Sequence, residues 1–220
     1  MSGLLTELLF PGKCLLCGQL LDRSESLMCR NCAVQTEDAP PQKRRIPFLS
    51  GSFALWYYEG DVRGSLLRFK FSHKRSYARG YGSLLTMKLM DRADEYDLIT
   101  WVPVSTRRKL KRGYDQTELI VRALGKEVTC PRIRCLKKIR HTPPQSTIKG
   151  LAARRANVLG AYRVLDPAAV AGKRILLVDD IITTGATISE CARILMTAGA
   201  KEVYGVAVAT AKQHKHETSR

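Results

Sequence analysis

The chain has 220 residues, of which 45% are hydrophobic and 26% charged, proportions that exclude wholesale disorder and fibrous repeats. Lys and Arg number 37 against 20 Asp and Glu, a net charge of +17, which predicts a polyanionic partner or, alternatively, a solvated repulsive surface. No stretch approaches the roughly 20 apolar residues that span a bilayer, and the start lacks the basic region and cleavage site of a secretory signal. We therefore expect a cytoplasmic protein.

The first predicted unit is a small zinc module within residues 1–42. Its ligands form two C-x-x-C turns in the pattern C-x2-C-x11-C-x2-C, and they are Cys14, Cys17, Cys29 and Cys32. Four thiolates complete the tetrahedral shell of zinc, so the ion would be structural; a redox pair is the rival interpretation, but it needs only one such turn. Three scattered cysteines, Cys130, Cys135 and Cys191, are predicted to be packing residues.

A Pro-rich linker over 36–51 runs into a second predicted domain, 43–220, in which strands and helices alternate. Its first elements, in chain order, are a strand at 53–58, helices at 65–71 and 77–89, a strand at 98–102, a helix at 117–125 capped by Asp115, and weaker strands at 133–136 and 161–165. The pattern ends in a strand at 174–180, a helix at 187–200 and a strand at 202–211. Such βαβ units predict an α/β fold, with a mostly parallel sheet and helices on both faces.

The segment ILLVDDIITTGAT (175–187) carries the sharpest local signal, because an aliphatic strand ends in two acids and a Thr/Gly-rich turn. The carboxylates of Asp179 and Asp180 suit the vicinal hydroxyls of a ribose. The turn after them suits a single phosphate through its N–H groups and hydroxyls, supplied by Thr183, Thr184, Gly185, Ala186 and Thr187. No P-loop pattern occurs in the chain.

This segment resembles the motif that binds phosphoribosyl pyrophosphate (PRPP) in type I phosphoribosyltransferases. The resemblance implies that fold, catalytic roles for Asp179 and Asp180, and Mg²⁺ bound together with PRPP. It also implies a diphosphate loop after the strand at 98–102, where Val104 and Ser105 stand. Arg107 and Arg112 belong to a dense run of cations directly behind that loop.

The whole chain resembles a narrower family, the ComF proteins of late-competence operons. The resemblance rests on the four-cysteine module, RGYDQ (112–116), QSTIKGLAARRANVLGAY (145–162) and VDDIITTGAT (178–187); Lys70 also stands where this family tends to carry a lysine. It implies a role in uptake of single-stranded transforming DNA beside a helicase-like ATPase, with recruitment by partners to the inner face of the membrane.

Three functions remain open from the sequence: a Mg-dependent phosphoribosyltransferase, a non-catalytic PRPP-sensing or DNA-binding adaptor, and a nucleobase-salvage enzyme. Residues 137–157 are either a mobile lid or a linker followed by a helix. His141 is either an acid–base group or, as is commoner, a surface residue. Four aromatic residues are predicted to pack in the core, and the alternative is that they stack on the bases of a nucleic acid. They are Trp56, Tyr57, Tyr58 and Trp101.

Overall fold

The computed structural model describes residues 12–40 and 45–212, with the side chain of Ala93 left out. The start of the chain, where a secretory signal was considered, therefore lies almost wholly outside the described residues. The helices are α1 Arg30–Gln35, α2 Gly60–Phe71, α3 Tyr77–Leu89, α4 Thr106–Arg112, α5 Gln116–Arg122, α6 Leu151–Val158, α7 Pro167–Val170 and α8 Ala186–Thr197, with 3-10 turns at Met90–Glu95 and Gln145–Thr147. The strands are β1 Gly51–Tyr57, β2 Leu98–Trp101, β3 Leu136–Lys138, β4 Tyr162–Val164, β5 Arg174–Ile182 and β6 Glu202–Thr210. None of these helices is long and apolar enough to cross a membrane.

The main sheet is parallel throughout, in the order β1-β6-β5-β2. Alternate residues of β5 point to opposite faces: Leu176 and Val178 join a core with α2, α3 and α5, whereas Ile175 and Leu177 join one with α8. All four side chains are buried, as expected of a strand covered on both sides. The predicted parallel sheet with helices on both faces is confirmed.

A second, two-stranded antiparallel sheet is formed by β3 and β4. The strand predicted at 133–136 lies further along the chain, because β3 begins only at Leu136. Ile133 instead donates its N–H to the carbonyl of Ile99, and Arg132 forms an isolated parallel β-bridge with Ile99. The preceding residues are therefore held at the edge of β2, where they cover its open hydrogen-bonding groups.

The cysteine module packs directly on α2. The hydroxyl of Ser65 and the guanidinium of Arg68 donate to the carbonyls of Leu15 and Leu16. Leu16 belongs to the same hydrophobic core as Tyr81. The division at residue 42 remains a prediction, but this packing joins the module to the helix.

Of the four aromatic residues predicted to lie in the core, the structure buries two and leaves the other two partly exposed. Trp56 and Trp101 are each 4% exposed and belong to the core, whereas Tyr57 and Tyr58 are half-buried. Burial leaves the two tryptophans no face for a base. The three scattered cysteines are buried, as packing residues are: Cys130, Cys135 and Cys191.

One close helix contact depends on a glycine. Gly82 of α3 faces the end of α5, and a Cβ placed on it would lie 2.4 Å from the carbonyl oxygen of Ala123. That distance is far below van der Waals contact, so the two helices can approach this closely only with a hydrogen at position 82.

Candidate functional site

A cleft of about 760 Å³ opens at the carboxyl ends of β2 and β5, the edge where parallel α/β sheets bind ligands. Its lining comes from residues 179–188, from 102–104 and the start of α5, and from residues between 138 and 154. The end of α2 completes it. The cleft thus gathers segments from most of the chain around one acidic pair.

The acidic pair is buried and asymmetric. Asp180 accepts from Lys70 Nζ at 3.0 Å and from Gln116 Nε2 at 2.8 Å, so it has a counter-ion. Asp179 accepts the N–H of Asp180 at 2.8 Å, and burial, followed by the charge of Asp180, raises the pKa of its carboxyl well above the ordinary value. The two acids therefore differ: one is held in an ion pair and the other retains its proton more readily.

Lys70 and Gln116 reach Asp180 from different helices. Lys70 lies near the end of α2, and the sequence pointed to it only through the family resemblance. Gln116 is the first residue of α5, and the N-cap of this helix is Asp115, as predicted. The side-chain oxygen of Gln116 also accepts a hydrogen bond from Arg112 Nη1 at 2.9 Å. The RGYDQ segment was noted as a motif, but no role followed for its glutamine, because the partner is 64 residues away.

The turn after β5 supplies the five predicted phosphate-binding residues, and all of them line the cleft: Thr183, Thr184, Gly185, Ala186 and Thr187. Gly185 has φ 76° and is the N-cap of α8, a conformation that glycine adopts without strain. Gln145 donates to Thr187 Oγ1 at 3.3 Å and to the carbonyl of Arg154 at 3.1 Å, so the segment considered as a lid lies against this turn.

The predicted diphosphate loop is only partly presented to the cleft. Val104 and Arg112 line it, and the N–H of Val104 is donated to Asp115 at 3.0 Å. Ser105 is buried because its hydroxyl caps α4 and lies 3.0 Å from His141 Nδ1. Arg107 is exposed, and neither Ser105 nor Arg107 is among the lining residues. Their contact with a ligand stays a prediction.

Two further basic side chains lie in the cleft wall, Arg108 and Lys138. The sequence placed Arg108 in the run of cations behind the diphosphate loop without singling it out, and it gave no role for Lys138. Arg108 donates to the carbonyl of Thr142 at 2.9 Å, and burial lowers the pKa of its guanidinium. Lys138 is 8% exposed, and burial, followed by the charge of Arg108, lowers its pKa to about 8. The available signal was the period of β3, which buries Leu136 and Lys138 and exposes Lys137.

His141 lies at the surface beside this wall. Its ring is exposed and is absent from the lining of the cleft. Desolvation and the neighbouring charges of Arg108 and Arg107 lower its pKa. The surface interpretation of this histidine fits its placement.

The four predicted metal ligands converge. The Sγ atoms of Cys14, Cys17, Cys29 and Cys32 all lie within 4.8 Å of one another, and those of Cys17 and Cys29 are 3.8 Å apart. Tetrahedral zinc with bonds of about 2.3 Å places sulfurs about 3.8 Å apart. Burial opposes ionisation of Cys14, but N–H donors from Cys29, Cys17 and Leu16 outweigh it and lower the pKa to about 6. The donor set fits zinc and leaves no position for a catalytic water.

Comparison with known proteins agrees with this geometry. Residues 117–220 match the family described as phosphoribosyl transferase domain. Competence protein F of Haemophilus influenzae is 32% identical over 62% of this chain and 62% of its own length. Competence protein ComFC of Streptococcus pneumoniae is 28% identical over 87% and 96%, and DNA utilization protein YhgH of Escherichia coli O157:H7 is 25% identical over 87% of each chain.

The match to the first of these relatives spans less than two thirds of that protein, whereas the other two extend over most of both chains. The matched domain contains the acidic pair and the turn after β5, and the relatives extend the likeness toward the amino terminus. The matched domain and these relatives, together with the parallel sheet, the cleft and the converging cysteines, support a phosphoribosyltransferase-like protein of the ComF family.

Proposed function

We propose that the chain binds PRPP in this cleft and acts in natural competence, supporting the uptake of single-stranded transforming DNA. The observation that carries the proposal is the acidic pair followed directly by the turn that opens α8, both facing one cleft. The 5-phosphate would lie in the turn at 183–187, and the ribose hydroxyls would lie at Asp179 and Asp180.

The cleft also contains unused hydrogen-bonding capacity. Gln145 Oε1 is buried and has no hydrogen-bond partner within the described residues, although its amide nitrogen is engaged. A buried acceptor without a partner is costly. Because this oxygen is not exposed to the cleft, a hydroxyl of a bound sugar would reach it only after the Gln145 side chain had moved.

Magnesium fits this arrangement only as a companion of the ligand. In the lining of the cleft, as far as the structure describes it, the carboxylates are Asp179 and Asp180, and the latter is paired with Lys70. Mg²⁺ prefers oxygen ligands, often one or two carboxylates with substrate phosphates, so most ligands would come from the diphosphate. When bound, the ion would neutralise charge on that leaving group.

If transfer occurs, the residues of this chain act by position and charge. Negative charge on Asp180 and on the phosphates of the ligand would stabilise positive charge that develops at C1 of the ribose as diphosphate departs. Arg112 lines the same cleft and adds positive charge at its mouth. An acceptor nitrogen then forms the new bond at C1, and no side chain forms a covalent intermediate. A nucleobase-salvage enzyme would perform this reaction with a free base as acceptor.

A second candidate, a PRPP-sensing or DNA-binding adaptor without transfer, is favoured by the basic surface. Residues 101–160 contain 15 Lys and Arg against 3 acidic residues, more than one PRPP molecule needs. Phe71 is 64% exposed, and Arg112 lies over its ring at 5.0 Å. An exposed aromatic ring beside cations suits a stacked base of a single strand.

PRPP binding and turnover test the first proposal. Calorimetry should show binding to the wild type and a loss of about tenfold or more in Asp179→Asn and Asp180→Asn, with the exposed Asp91→Asn as a matched control. Absence of PRPP binding in the wild type would overturn the proposal. Binding without diphosphate release, with any of a panel of amine and nucleobase acceptors, would instead select the adaptor.

DNA binding is tested by salt dependence. Fluorescence anisotropy with labelled single strands should show affinity that falls steeply with salt and weakens when Arg107, Arg108 and Lys109 are neutralised. Binding that is absent or insensitive to salt would remove DNA as a direct partner. We also propose a helicase-like ATPase as a partner, and co-purification tests it. We propose a cytoplasmic location with recruitment to the inner face of the membrane, and cell fractionation that follows both the chain and the ATPase tests it.

A further inference from the structure

Lys138 is a largely buried lysine in the cleft wall. It is 8% exposed, lines the cleft and lies over the ring of Tyr162, with Nζ 5.0 Å from the centroid. Within the described residues, it makes no hydrogen bond or ion pair through its side chain. Its ammonium group therefore reaches the cleft beside an aromatic ring, with no counter-charge of the described chain in contact with it.

The groups that surround Lys138 do not supply that counter-charge. Arg108 faces it from α4 and Arg140 from the end of its own strand, and both are cationic. Asp179 faces it from β5, and its charge offsets part of this repulsion, although this carboxyl retains its proton more readily than usual. Cys191 of α8 and Tyr162 of β4 are neutral, because burial raises both pKa values well above the ordinary ones. The wall therefore presents positive charge that Asp179 offsets only in part.

Other cations of the cleft are already engaged or hydrated. Lys70 is paired with Asp180, and Arg112 donates to Gln116 and stacks on Phe71. Arg63 and Lys111 line the cleft but are exposed. Anion binding adds most where the cation is desolvated and without a partner, because the attraction there is least screened.

We propose that Lys138, together with Arg108, binds the diphosphate of the ligand, in place of the exposed Arg107 that the sequence suggested. The assignment rests on the proposed function for the identity of the anion. An anion beside Lys138 favours its charged form and raises its pKa. The pKa of Lys138 without ligand is about 8. Above that pH, Lys138 must therefore take up a proton when the ligand binds, and the affinity for the ligand falls as the pH rises further.

Calorimetry with PRPP and with inorganic diphosphate tests this assignment. Lys138→Met removes the charge but keeps the apolar stem, and Lys137→Met is the matched control on the exposed face of the same strand. We expect affinity for both ligands to fall about 30-fold or more in Lys138→Met, with little change in Lys137→Met. Equal affinities in wild type and Lys138→Met would overturn the assignment.

Proton linkage in the wild type provides a test that needs no variant. Titrations in buffers of different ionisation enthalpy, at about pH 9, should reveal proton uptake on ligand binding; binding without uptake would overturn the assignment. A wild type that binds neither PRPP nor diphosphate would instead contradict the proposed function. The two failures are therefore distinguishable.

Discussion

Raising the pH should stabilise this protein through Lys138. In the folded chain its pKa is about 8, against 10.5 ordinarily, so between these values the unfolded chain binds more protons and stability rises with pH. Below about pH 8 the folded state carries the full cost of the buried charge. Linkage between these pKa values gives a gain of about 2 kcal/mol in the free energy of unfolding from about pH 7 to about pH 9.5.

Urea unfolding of the wild type and Lys138→Met across this range isolates the effect, because both chains share every other titrating group. The wild type should gain about 2 kcal/mol relative to the variant as the pH rises, and the variant should be the more stable at neutral pH. Lys137→Met, on the exposed face, should track the wild type. A difference between wild type and Lys138→Met that does not change with pH would refute the reasoning.

Two further predictions concern the metal and the helix packing. The purified chain should contain one zinc ion, which Cys29→Ser loses with a lower melting temperature and Cys130→Ser retains; zinc retained by Cys29→Ser would contradict the four-thiolate site. Gly82→Ala should cost about 2 kcal/mol or more in urea unfolding, because its Cβ would meet the carbonyl of Ala123 at 2.4 Å. Gly64→Ala, where the Cβ meets only the end of a flexible arginine at 3.3 Å, should be neutral or stabilising by up to about 1 kcal/mol; equal effects would contradict the packing.

Local patterns predicted much of the fold because they report burial directly. The aliphatic run of β5 is buried on both faces, and the stripe of α8 through Ile188, Cys191 and Leu195 lies in the core. Asp115 was predicted as an N-cap from its position alone, and its carboxylate accepts from Thr117 and Glu118. Each of these signals depends on residues within a few positions of one another.

The interior of the candidate site was less predictable because it depends on long-range contacts. Gln116 and Lys70 meet at Asp180 from separate helices, which no local pattern encodes. Charge density drew attention to Arg107, but the first turn of α4 leaves this residue exposed and brings Arg108 into the cleft. Lysine is usually a surface residue, and Lys138 is buried only because β3 pairs with β4.

The position of β6 has a consequence for the order in which the chain folds. This strand lies between β1 and β5, so Ala54 pairs with Ala207, roughly 150 residues later, and contacts of such separation form slowly. During synthesis, β1 and β2 leave the ribosome well before β5 and β6, the two strands that join them into one sheet. A fragment limited to the matched domain, 117–220, would include β5 and β6 but neither edge strand, leaving hydrogen-bonding groups open on both sides. The acidic pair and its turn would then be present on a sheet prone to pair with other chains.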